Sequence, residues 1–198
     1  LATLAGAREA PSRRATLAAV WGHLKDTARR VYVLDYRRYP AYVWLLASRF
    51  LVLFGIYAIQ GFAQYFIRDV LQSPNPAGTT SHVMAVIAAG TAVLVYPAGL
   101  AADRLDRKLV NLGAALLCGA GALLLLTVHN YAQLLCVGAI LGGGLGAFLS
   151  VNWALATQLA PAEEAGRYLG LSNLATAGAA ASSRLTGPII DLVNAHWP

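Results

Sequence analysis

Charge is scarce in this sequence, and acid is scarcer still: 12% of its 198 residues are charged, and only nine are Asp or Glu. No carboxylate lies deep within a long apolar run, so nothing there stands out as a carrier for a proton or a cation. His23, His82, His129 and His196 are scattered, the only cysteines are Cys118 and Cys136, and neither a metal-ligand spacing nor a cluster of Ser, His and Asp results. No enzyme, no metal site and no cofactor are expected. The two cysteines sit in neighbouring apolar runs at different distances from the turn between them, which points to small-residue packing rather than a disulfide. A cleavable signal is missing too, since the first forty residues hold no apolar core and the chain begins with Leu1. The sequence reads as the middle of a longer protein.

Apolar length is what the chain has in abundance. Hydrophobic residues make up 58%, and the mean hydropathy is +0.56. A buried soluble core accounts for one apolar run of about 10–14 residues, whereas several runs of about 20 with almost no internal charge require a bilayer about 30 Å thick. The expected fold class is therefore an all-α membrane protein. Five transmembrane helices are expected at about 42–66, 83–102, 109–128, 131–155 and 168–193, in a region 41–198 that follows a basic arm, 1–40. Tyr39, Tyr42 and Trp44 open the first span and Tyr65 and Phe66 close it, as interfacial aromatics do. Pro97 should bend the end of the second span, and Gly187-Pro188 should break the fifth.

The bases follow topology. The arm carries eight of the fifteen: Arg8, Arg13, Arg14, Lys25, Arg29, Arg30, Arg37 and Arg38. Within it Leu17, Val20, Trp21, Leu24 and Ala28 recur at three- and four-residue steps, which fits either an amphipathic helix on anionic lipid or an ordinary basic linker helix. Placing the arm inside puts twelve of the fifteen bases on the inner side and Arg68 alone in an outer loop. The N-terminus is then cytoplasmic, in the inner or plasma membrane of a prokaryote, with membrane lipid as one partner. Nucleic acid is not expected as another, because no basic surface interleaved with aromatics appears. In the fourth span Gly138, Gly142 and Gly146 recur every four residues beside Gly143 and Gly144, a face suited either to static close packing or to sliding against a neighbour.

The residues from Gly99 to Lys108, Gly-Leu-Ala-Ala-Asp-Arg-Leu-Asp-Arg-Lys, form a short charged turn between two spans. Gly99, Asp103, Arg104, Arg107 and Lys108 resemble the loop signature of the major facilitator superfamily, with Asp106 where that family usually has Gly. The basic arm resembles the loop joining the family's two halves, and the fourth span lacks the Arg common in the first half. Both favour the C-terminal half, helices seven to eleven. Asn152 to Gln158 and Pro161 to Arg167 are similar to segments of the glycoside-pentoside-hexuronide and sucrose transporters.

The resemblance implies part of a secondary active transporter, of symporter type, moving a small-molecule substrate by rocker-switch alternating access. The 99–108 loop would be the cytoplasmic latch, and the absent N-terminal half of the same protein would be the partner. Asp103 would face a helix end of that half, while Arg107 or Lys108 could pair with Glu163 or Glu164, near Arg167, unless those acids simply cap the fifth helix. The candidates along the substrate pathway are the polar groups within the spans: Arg49, Gln60, Gln64, Asn152, Trp153, Asn173 and Arg184. Arg49 is expected to snorkel toward the inner face, or else to touch substrate. Arg184 could bind an anion or pair with Asp191, and the amides suit either a polar neutral solute or contacts between helices. A non-transporting membrane scaffold or assembly factor on the same fold is the alternative function.

Overall fold

A computed structural model describes residues 37–196, with backbone only at 191 and 193–196. The amphipathic helix expected around Trp21 and the rest of 1–36 lie outside the described residues.

Six α-helices follow: α1 (Pro40–Asp69), α2 (Pro76–Arg104), α3 (Arg107–Leu124, extended by a 3₁₀ turn Leu125–Thr127), α4 (Tyr131–Leu159), α5 (Ala165–Ser183, preceded by a 3₁₀ turn Ala162–Glu164) and α6 (Thr186–His196). Local chemistry starts each of the first four. α1 and α2 open on Pro40 and Pro76, residues that lack the amide hydrogen a first turn cannot pair anyway. Asn75, Asp106 and Asn130 cap α2, α3 and α4 by accepting from the amides of Gly78, Lys108 and Gln133. Among the described residues four helices are long and apolar enough to cross a membrane: α1, α2, Arg107–Thr127 and α4. The chain is an all-α integral membrane protein.

The helices outrun the apolar spans because polar residues at the interface extend the same hydrogen-bonded ladder. α2 begins at Pro76 rather than 83 and continues through Pro97 to Arg104, and α4 reaches Leu159 rather than 155. The fifth span requires correction. Its expected break lies earlier than Gly187-Pro188: the span is two helices, α5 and α6, parted at Arg184 and Leu185. Pro188 has no amide hydrogen, and its ring crowds the carbonyl four residues back, that of Arg184, so the break falls one turn before Gly187-Pro188.

α4 is the centre of the bundle: 61% of its most apolar window is buried, against 17–28% for the other three spanning helices. Its glycine face lies directly on α2. A Cβ built at Gly142 would stand 2.2 Å from the carbonyl oxygen of Ile87, and one at Gly146 would stand 2.3 Å from that of Thr91. Both obstacles are backbone, so only glycine permits this approach. Thr91 fastens the seam, its hydroxyl lying 2.9 Å from the Ile87 carbonyl and 3.0 Å from the Gly142 carbonyl across the interface. The glycine face thus sets backbone against backbone on α2. α3 takes another side of α4, where Gly144 leaves room for Cys118. α1 packs chiefly on α5. Cys118 and Cys136 are free thiols, the first buried and the second exposed.

Candidate functional site

Two groups of polar residues stand out, one at the α2–α3 turn and one between α1, α4 and α5. α2 ends at Arg104, Leu105 turns into extended backbone, and Asp106 caps α3 by accepting from the Lys108 amide at 2.8 Å. Asp106 therefore does locally, with its side chain, what a glycine would do by conformational freedom. Arg107 donates to Asp103 Oδ1 at 3.0 Å, while its other arm reaches Gln158 Oε1 of α4 at 3.4 Å. Gly99 faces Ser150 of α4, whose hydroxyl would lie 3.3 Å from an added Cβ. Arg104 and Lys108 are exposed.

The expected pairing of Arg107 or Lys108 with Glu163 or Glu164 does not form. Glu164 instead binds Arg167, three residues on, and Glu163 is exposed. Arg167 also lies over the Tyr168 ring, 5.7 Å from its centroid. Each loop finds its opposite charge within one turn of chain, at less entropic cost than a bridge between loops. Among the described residues no ion pair joins the two.

Between α1, α4 and α5 a second group is buried. Arg49 is only 6% exposed. It donates from Nη1 to Asn152 Oδ1 at 2.8 Å and from Nε to Thr176 Oγ1 at 2.9 Å, with its guanidinium 5.4 Å from the centroid of the Trp153 ring. The expectation that Arg49 snorkels is corrected: it turns inward, because two other helices present oxygens at its own depth. At 1.5 Å per residue Arg49 lies about 14 Å from the start of α1, Asn152 about 10 Å from the end of α4, and Thr176 about 16 Å from the start of α5. Nearer that end, the Tyr42 hydroxyl donates to the Tyr168 carbonyl at 2.6 Å and lies 2.8 Å from Ser172 Oγ.

The remaining pathway candidates do not join this group. Gln60 is half-buried, while Gln64, Asn173 and Arg184 are exposed, and the side chain of Asp191 lies outside the described residues. Sequence reasoning missed Thr176, Ser172 and Tyr42. A usable signal was present in the steps of four from Tyr168 to Ser172 to Thr176, which put three polar groups on one face of an Ala- and Gly-rich helix. It also missed that His82 and His129 line one pocket of about 650 Å³ at the opposite end of the bundle, where His82 Nδ1 lies 3.1 Å from the Tyr131 hydroxyl. Among the described residues no cluster of His, Cys, Asp and Glu could hold a metal.

Comparison with the curated proteins and with the solved structures gives no match. The family model described as Major Facilitator Superfamily matches residues 3–197, nearly the whole chain and the basic arm with it. The charged turn between two spanning helices, the all-α membrane fold and this match agree: the chain belongs to the major facilitator superfamily.

Proposed function

We propose that the chain is the C-terminal half, helices seven to eleven, of a secondary active transporter that moves a small solute by alternating access. On this reading the arm 1–40 is the cytoplasmic loop between the halves, and the 99–108 turn is the latch on the cytoplasmic side. The observation that carries it is the state of Asp103. Arg107 holds Oδ1 at 3.0 Å, and the carboxylate is still 65% exposed at the end of α2. An acid fixed by one oxygen and open on the other suits a contact with the positive end of a helix in the opposite half, worth about 0.3–2 kcal/mol. The bond from Arg107 to Gln158 ties the turn to α4, which replaces the brace expected from Glu163 and Glu164. The segments Asn152 to Gln158 and Pro161 to Arg167 support a place near the glycoside-pentoside-hexuronide and sucrose transporters, and Arg49, Asn152 and Trp153 form the part of the substrate pathway this half would supply.

Asp103→Asn in the full-length protein keeps the shape and removes the charge. Uptake should fall at least tenfold while membrane expression stays at the wild-type level. Unchanged uptake would remove the latch, and a well-folded wild type that takes up none of a panel of sugars, organic anions and drugs would favour a scaffold.

A further inference from the structure

A guanidinium has five N–H donors and no acceptor. In Arg49 one hydrogen on Nε goes to Thr176 and one on Nη1 to Asn152. Among the described residues the other three meet no acceptor, and Arg49 forms no ion pair. Asn152 repeats the pattern: its Oδ1 accepts from Arg49, yet Nδ2, on a side chain 0% exposed, has no partner. Both amide atoms share one carbon, so these two unused hydrogens sit beside the guanidinium. Trp153, the next residue on α4, lies against Arg49 and is 40% exposed, so the group opens on one edge.

A static tie between helices matches donors to acceptors. This junction holds a surplus of donors and an uncompensated positive charge roughly 14 Å from the helix end. A neutral solute would satisfy hydrogen bonds and leave the charge, whereas two oxygens sharing one negative charge answer both, and the planar fork of arginine fits them side by side. We infer that Arg49, Asn152 and Trp153 bind an oxyanion, with Arg49 and the Asn152 amide as donors and the indole as the wall of the opening. The transporter reading is needed only for the further statement that this anion is the solute carried.

The test uses the full-length protein in phosphatidylcholine nanodiscs, titrated with acetate and benzoate and with acetamide and benzamide, which match them in shape and lack the charge. The readout is the Trp153 share of the fluorescence, obtained by difference from Trp153→Phe. At least one carboxylate should give a saturable change, at a concentration at least tenfold below that of its amide. Arg49→Gln should lose the response, and Arg49→Lys should keep it with weaker affinity. Asn152→Asp guards against misfolding, because it sets a carboxylate against Arg49 and keeps the helices tied. It should elute as the wild type does and fail to respond, since its own anion fills the place. Equal responses to acid and amide, or an unchanged titration in Asn152→Asp, would overturn the proposal. Repeating the titration with phosphatidylglycerol in the discs separates the two sources of oxyanion, since loss of the benzoate response there assigns the site to a lipid headgroup. Proteoliposome uptake separates this inference from the transporter reading. Saturable binding of an anion with no uptake leaves the site and removes transport, and uptake of neutral solutes with no anion response does the reverse.

Discussion

α4 meets its neighbours in two opposite ways. Against α2 it offers absence: at Gly142 and Gly146 the carbonyls of Ile87 and Thr91 occupy the space where side chains would stand. Against α1 it offers a polar side chain, Asn152, which reaches Arg49, and Arg49 in turn reaches Thr176 on α5. Contact between backbones has no rotamer to change and no partner to exchange, so α2 and α4 hold one geometry and carry the charged turn with them. Hydrogen bonds between long side chains can be surrendered to water or to a ligand at little net cost, because another donor or acceptor replaces the one lost. Rigidity belongs to the first seam, and response to an occupant belongs to the second.

The severest way to break that contrast is Gly142→Leu. Its first side-chain atom would begin 2.2 Å from a carbonyl oxygen, so α2 and α4 must part. The loss should exceed the ~1–3 kcal/mol usual for overpacking and should appear as aggregation on size exclusion after solubilisation. A variant that elutes and melts like the wild type would show that the seam yields. A milder probe of the adjustable side is Tyr42→Phe, which keeps the ring and deletes the hydroxyl that meets Tyr168 and Ser172. About 1 kcal/mol should be lost in thermal unfolding, with expression maintained. A loss as large as that of Gly142→Leu would mean both seams are equally unforgiving. The smallest effect belongs to Gly55→Ala, where an added Cβ meets nothing within 4 Å. The melting temperature should hold or rise slightly, since alanine is favoured over glycine in a helix by up to ~1 kcal/mol. A fall would reveal a close neighbour at that position outside the described residues.

Hydropathy made the spanning helices legible, since a run without charge is a statement about solvent that needs no tertiary knowledge. Helix ends were less legible, because Asn75, Asp106 and Asn130 act through side-chain bonds to the first turn rather than through apolarity. The glycine face was visible as spacing, but its partner was not, for nothing in Gly142 names Ile87. Arg49 shows the same boundary most plainly. Its depth in the first span was readable, and its direction was not, because that depends on Asn152 and Thr176 arriving at the same height from two other helices. The charged turn was legible as a family signature, yet its pairing was misjudged: Arg107 found Asp103, four residues away, before any acid in a distant loop.

The sequence separations at the buried arginine also set a timetable. Its partners Asn152 and Thr176 lie 103 and 127 residues further along the chain. At ~5–20 residues per second, a ribosome reaches them only after about 5–25 s. For that interval α1 must hold a lone cation at the edge of the bilayer or beside the insertion machinery, stem in lipid and head toward water. The final burial of Arg49 thus waits for α5, so a helix whose Thr176 lies 127 residues further along the chain draws α1 fully into place.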